Sequence, residues 1–362
     1  MAIWKIDELG EFVTLKRGYD LPQQKRKNGE IPIFSSSGVT GTHNEAMVEA
    51  PGVITGRYGT IGEVFFAETS FWPLNTTLYV ENFHENDEKF VYYFLKTLEW
   101  KKFASASAVP GINRNTVHKE IVRFPDFETQ RKIASVLSTI DKKIAVNKAI
   151  NDNLEQQAAA LFSSLYNRSN TEVRYTDLIQ ILGGGTPKTG ETAYWNGNIA
   201  FFTPKDVGTP YTFITEKTIT EEGLSHCNSR LYPVNTVFVT ARGTVGKVGL
   251  SGIPMAMNQS CYALVGKETH QLLVYFYTLK AVDRLKHKAS GAVFDAITTR
   301  DFDSEQIMKL SDDDAKAFLC VAEPMFQEML NNSIENLRLS TLRDFLLPKL
   351  MSGEIDVSSV QL

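Results

Sequence analysis

Along residues 133–165 the apolar positions alternate in steps of four and three. Ile133, Leu137, Ile140, Ile144, Asn147, Asn151, Leu154, Ala158, Leu161 and Leu165 carry the stripe. This heptad spacing keeps one face of a helix against a partner helix, so it predicts a coiled-coil helix. A single apolar heptad run usually marks an ordinary core helix. Here the stripe returns 185 residues later at Phe318, Ala322, Met325, Met329, Asn332, Asn336, Leu339, Arg343, Leu346 and Leu350. Both polar seam residues return with it, which accident rarely produces. The chain is therefore expected to carry its own partner helix.

The flanking segments have a different pattern. Residues 31–34, 52–55, 63–66 and 77–80 are short β-like runs bounded by Gly, Ser, Asn and Pro turns. A helix is predicted over 88–103, followed by an irregular stretch over 104–116. Pro125 and Asp126 close this mixed α/β domain, and Glu128, Thr129 and Gln130 lead into the first long helix. A polar stretch over 166–171 ends that helix and serves as a hinge.

The second segment repeats the first. Arg57-Tyr58-Gly59-Thr60-Ile61-Gly62 is echoed by Arg242-Gly243-Thr244-Val245-Gly246, with one residue fewer. Residues 74–79 are echoed by 257–262, with Asn75 matching Asn258 beside Gln259, and residues 104–112 by 289–297. Offsets of 183 to 185 hold over most of the length, whereas Ile31-Pro32-Ile33-Phe34 meets Ile199-Ala200-Phe201-Phe202 at 168. An insertion in the second copy, within 209–229, is the expected cause.

The predicted organisation is domain 1–125, helix 126–168, domain 169–309, then helix and tail 310–362. The fold class is α+β, with two similar mixed α/β domains joined by two long antiparallel coiled-coil helices under pseudo-twofold symmetry. Antiparallel pairing would give a dumbbell with inverted heads. Asn147 would face Asn336 and Asn151 would face Asn332, four polar seam residues that fix register.

Composition narrows the class. At 362 residues, two to three domains are expected. No apolar run approaches the roughly 20 residues that span a bilayer, and the polar, acidic start differs from a signal peptide, so a cytoplasmic protein without membrane contact is expected. Cys227, Cys261 and Cys320 lie far apart in sequence and are expected to be buried thiols. The net charge is −4. Residues 1–125 carry 14 Lys and Arg against 15 Asp and Glu, giving −1, and residues 171–310 carry 14 against 13, giving +1. Contact with a polyanion would thus rest on local clustering.

Catalytic constellations are missing. The stretch Gly183-Gly184-Gly185-Thr186-Pro187-Lys188-Thr189-Gly190 continues with Glu191 where a phosphate loop needs Lys, so it reads as a turn after a strand ending at Leu182. There is no zinc-protease helix, nucleophile elbow or Asn-Pro-Pro-aromatic motif, and six scattered histidines form no metal-ligand set. No metal and no catalytic residue is expected in this chain.

The informative polar elements are the repeated Arg-Gly-Thr turns. A Gly-rich turn brings backbone close to a ligand, and Arg grips phosphate bidentately or reads guanine O6 and N7. Candidate DNA-binding residues are Arg57, Tyr58, Gly59, Thr60 and Asn75 with Lys25, Arg26, Lys27 and Arg114. In the second copy they are Arg242, Gly243, Thr244, Asn258, Gln259 and Arg300. Each Arg also has the simpler role of capping a strand or pairing with a carboxylate, and each Asn that of a turn residue. Lys101-Lys102 and residues 286–288 are further basic clusters.

The duplicated layout and the ending Leu346-Leu347-Pro348-Lys349-Leu350-Met351-Ser352-Gly353-Glu354-Ile355 resemble the specificity subunit of Type I restriction-modification systems over the full length. The repeated Arg-x-Gly-Thr-Ile-Gly and Asn-x-x-x-Tyr elements are similar to those of its target recognition domains. The resemblance implies a non-catalytic subunit in which each domain reads one half of a bipartite double-stranded DNA target. It implies that the helices dock two methyltransferase subunits, that restriction subunits join, and that S-adenosylmethionine belongs to the methyltransferase. A helix of 33 residues would be about 50 Å long. At about 3.4 Å per base pair the footprint is then roughly 13 to 15 base pairs, with about 5 to 8 unread. In one departure from the family pattern, Leu310-Ser311-Asp312-Asp313-Asp314 replaces its Pro-rich helix entry, and Pro324 is expected to kink the first turns. The alternative reading is a coiled-coil scaffold with two protein- or glycan-binding domains.

Overall fold

The computed structural model describes residues 3–104, 110–208, 210–288 and 296–361. It divides into two compact units, residues 1–145 with 336–362, and residues 146–335.

The first unit begins with β1 (Trp4–Glu8), α1 (Leu9–Phe12), β2 (Thr14–Arg17), β3 (Ile31–Ser35) and β4 (Gly38–His43). It continues through β5 (Gly52–Gly56), β6 (Val64–Ala67), β7 (Trp72–Pro73) and β8 (Thr77–Asn82). Then come α2 (Glu88–Thr97), α3 (Arg114–His118), β9 (Ile121–Pro125) and the long α4 (Phe127–Arg168), of which residues 127–145 belong to this unit. An antiparallel sheet runs in the order β2-β8-β5-β6, and a smaller one in the order β4-β3-β7, with β3 and β7 parallel. Strand β5 is buried along its whole length. Helix α2 covers the sheet with Phe90, Val91, Phe94 and Leu95. Its first turn is capped by Asp87, which accepts the Phe90 N–H at 2.8 Å.

The predicted helix over 88–103 breaks at Leu98. Trp100 folds its Nε1 back to donate to the Leu95 carbonyl at 2.8 Å, supplying one of the bonds the helix end lacks. Residues 100–103 then form a separate 3₁₀ turn. Residues 105–109 lie outside the described residues.

The second unit follows the same plan. It contains β10 (Thr171–Arg174), α5 (Tyr175–Leu178), β11 (Ile179–Gly183), β12 (Trp195–Phe202), β13 (Tyr211–Thr212), β14 (Lys217–Ile219) and α6 (Glu221–Ser225). After these come β15 (Val237–Thr240), β16 (Val248–Ser251), β17 (Met255–Met257), β18 (Cys261–Gly266), α7 (Gln271–Lys288), α8 (Thr299–Ser304), β19 (Gln306–Lys309) and α9 (Asp312–Ser352). Its sheets run β11-β18-β15-β16-β13 and β14-β12-β17. The β3–β4 turn of the first unit becomes the connection 203–216 carrying β13, and α6 follows β14. The extra residues therefore start before position 209, and the insertion falls in two places. In each unit the first strand pairs with the last strand before a long helix, β1 with β9 and β10 with β19.

The long helices are built into both cores. In the first unit Ile133, Leu137, Leu350 and Met351 pack with Val53, Leu78 and Phe124. There Arg343 donates to Asp141 at 2.7 Å, and Tyr93 donates to the same carboxylate at 2.6 Å. In the second, Ala158, Phe162, Phe318, Ala322 and Met329 pack with α7. Asn332 donates to the Asn151 Oδ1 at 2.9 Å, and Asn151 donates to the Met329 carbonyl at 3.2 Å and the Ser333 hydroxyl at 3.1 Å. Asn147, fully buried, donates to Glu335 at 2.6 Å. Asn336 belongs to the first unit.

Helix α9 runs through Pro324, and at its start Ser311 accepts the Asp314 N–H at 3.1 Å while its hydroxyl donates to the Asp314 carboxylate at 3.0 Å. The cysteines differ from expectation. Of the cysteines only Cys261 is buried, which pushes its thiol pKa up to about 12. Cys227 is half-buried, and Cys320 is exposed because it falls between the seam positions Phe318 and Ala322. No helix of the described residues is long and apolar enough to cross a membrane.

Candidate nucleic-acid interface

Each unit has one cleft built around its Gly-Thr turn. In the first, of about 590 Å³, Arg57 and Tyr58 stand beside Lys16 and Arg17 of β2 and Arg114 of α3. In the second, of about 410 Å³, Arg242, Gly243 and Thr244 stand beside Lys205, Lys217, Glu216 and Asn258. The four glycines that shape these turns, Gly59, Gly62, Gly243 and Gly246, have φ of 78°, 94°, 81° and 74°. That left-handed region is one side chains disfavour.

The hydrogen bonds of the two turns revise the sequence correspondence. Arg57 and Tyr58 both donate their N–H to the Thr76 carbonyl, at 2.8 and 3.2 Å. In the second unit Ala241 and Arg242 donate to the Ser260 carbonyl, at the same 2.8 and 3.2 Å. The turn is closed by Gly56 N–H to Glu63 (3.3 Å) in one and by Thr240 N–H to Lys247 (3.0 Å) in the other. The two turns are therefore equal in length, at a constant offset of 184. Ala241 is the counterpart of Arg57, and Arg242 is the counterpart of Tyr58. The matching letters Arg-x-Gly and Arg-Gly aligned residues that occupy successive backbone positions.

The Arg57 guanidinium lies 4.6 Å over the Tyr58 ring, and its Nε donates to the Ile112 carbonyl at 3.3 Å. Tyr58 in turn lies against Gly111, where an added Cβ would collide with the ring. Arg242 is exposed, and among the described residues no hydrogen bond or ion pair engages its guanidinium. Thr244 donates to the Pro204 carbonyl at 3.1 Å and holds the turn against 203–216. Thr60 is exposed at the tip of the first turn.

The remaining candidates divide. Asn258 lines the second cleft, but its Oδ1 accepts the Ser260 N–H at 3.0 Å, a turn role. Gln259 is bonded to Thr186. Asn75 donates to Asp20, which also faces Arg17 at 3.6 Å. Arg114 lines the first cleft, whereas Arg300, exposed on α8, is absent from the lining of the second. Lys25, Arg26 and Lys27 stand beside β4, where Lys27 N–H donates to His43 Nδ1 at 3.1 Å, and do not line the Arg57 cleft. Lys102 pairs with Glu120 at 2.5 Å, and Lys288 with the buried Glu305. The Gly-rich stretch after β11 is explained by packing, since a Cβ at Gly184 would collide with the Met257 and Asn258 carbonyls. Lys16, Arg17, Lys205 and Lys217 went unnoticed in sequence because strand pairing, not a local motif, brings them to the clefts.

Known proteins resemble the chain at both levels. The profile described as "Type I restriction modification DNA specificity domain" matches residues 1–156 and 167–309. The Type I restriction enzyme HindI specificity subunit of Haemophilus influenzae is 25% identical over 345 residues, covering 72% of this chain and 75% of that protein. The EcoR124I/EcoR124II specificity subunit of Escherichia coli is 29% identical over 204 residues, covering 52% and 50%. The S subunit of a Type I system from M. genitalium shares the fold, with a TM-score of 0.66 over 96% of each chain at 17% identity. With its domain matched twice in tandem over most of the length, the chain belongs to the Type I restriction-modification DNA specificity subunit family.

Proposed function

We propose that the chain is a non-catalytic subunit that reads a bipartite double-stranded DNA target, one half-site per unit, through the two turn clefts. The observation that carries this reading is the recurrence of one turn geometry at a constant offset of 184, each time opening on an Arg-bearing cleft. The side chains around the turns differ, so the two half-sites differ in sequence. Two methyltransferase subunits dock on α4 and α9, restriction subunits join them, and S-adenosylmethionine is bound by the methyltransferase. Asn147, Asn151, Asn332 and Asn336 hold the helix register. With a charge near zero in each domain, the chain alone binds DNA weakly, and cationic surface on its partners supplies the remaining attraction.

The test is methylome sequencing of cells expressing this chain with a cognate methyltransferase, against cells lacking the chain. The expected result is a bipartite adenine-methylated motif with a gap of about 5 to 8 base pairs, present only with the chain. An identical methylome in both would reject the reading.

A further inference from the structure

We propose that Arg242 reads a guanine in the half-site taken by the second unit, and that Tyr58, at the matching backbone position, gives the first unit a different preference. The proposal rests on the DNA-reading function above and assigns its selecting position.

The argument starts from the offset of 184, under which successive side chains of the turn have different surroundings. At the earlier position the second unit has Ala241, 3% exposed, so that position faces protein. In the first unit it holds Arg57, whose guanidinium is occupied by the Tyr58 ring and the Ile112 carbonyl. At the later position the side chain opens on the cleft. There the second unit presents a guanidinium fork that nothing among the described residues engages, and the first unit presents a phenol ring backed by a stacked arginine. The two arginines that look equivalent in sequence thus do different work.

The cleft chemistry favours a base edge over a phosphate as the ligand of Arg242. Glu216 lies in the same cleft, 3.4 Å from Lys205, so the lining offers a carboxylate acceptor as well as cations. A carboxylate repels phosphate but accepts from a cytosine amino group, and a free Arg fork matches guanine O6 and N7. The cleft therefore holds the complementary pair of groups that a G·C pair presents in the major groove.

The test uses the assembled methyltransferase complex. Arg242→Ala should relax one guanine position in one half-site, lowering its preference over other bases on the order of 10-fold or more, with the gap and the other half-site unchanged, and Arg242→Lys should keep more of that preference than Arg242→Ala. Tyr58→Ala should alter only the other half-site. An unchanged motif in Arg242→Ala overturns the proposal, whereas retention of guanine preference in Arg242→Lys supports it, because an ammonium also donates to guanine O6 and N7. If methylation by a variant is too weak to map, binding of the purified complex to duplexes carrying each base in turn decides. Equal weakening for all four bases marks a phosphate contact and overturns the proposal, whereas weakening confined to guanine supports it. Absence of any chain-dependent motif with the unmodified protein would instead reject the underlying DNA-reading function.

Discussion

His118 stands between α3 and β2, where its Nε2 accepts the Leu15 N–H at 2.8 Å. Only the neutral ring can accept there. Burial, with the Arg114 cation adding to it, lowers its pKa below the usual histidine value. Because the folded value lies below the unfolded one, the stabilisation is present above about pH 6.5 and is lost as pH falls through the folded value. Denaturant midpoints followed from pH 7.5 to 5 should fall, and His118→Gln, which keeps an acceptor without the titration, should flatten that fall. Equal pH dependence in both proteins would remove His118 from the account. Gly111→Ala tests the Tyr58 plate: an added methyl displaces the ring and costs about 1 to 3 kcal/mol, measured as a lower denaturant midpoint. At this scale the sequence was least legible. Arg57 and Arg242 aligned by letter although hydrogen bonding separates them, whereas the turn role offered for Asn258 matches the Ser260 N–H that its Oδ1 accepts.

Periodicity, by contrast, exposed the elements well. The stripe from Ile133 to Leu165 lies inside α4 and that from Phe318 to Leu350 inside α9, because heptad spacing is a property of the whole run and survives local exceptions. Pro324 is one such exception. Buried Phe318, Ala322, Phe326 and Met329 anchor the turns on either side, so packing outweighs the missing N–H. The end of α2 was illegible because it depends on a tryptophan folding back, with no Pro or Gly to signal it. Replacing both Asn151 and Asn332 by Leu should stabilise the fold by about 1 kcal/mol or more, read as a higher denaturant midpoint, while loosening register, so chain-dependent methylation should decline. A stabilised protein with unchanged methylation would show that these amides do not set register.

For the molecule as a whole, duplication was readable from sequence because two copies constrain each other. What periodicity did not indicate is that each unit takes part of both helices into its core. The helices are thus structural members of both units. Inserting one heptad in α4 and one in α9 at matching places should widen the unread gap by about 3 base pairs, read as a longer spacer in the methylated motif. The same spacer after insertion would show that helix length does not set the gap.

Because Leu350, Met351 and Val357 lie in the core built by residues 1–145, the first unit stays incomplete until residues 336–362 have left the ribosome. The second unit, contiguous over 146–335, has all its residues earlier. Synthesis therefore runs against the usual order in which the N-terminal domain matures first, and the first core waits without Leu350, Met351 and Val357. A premature stop near residue 336 would be felt in the first unit, far from the cut in sequence, and so in the reading of that unit's half-site.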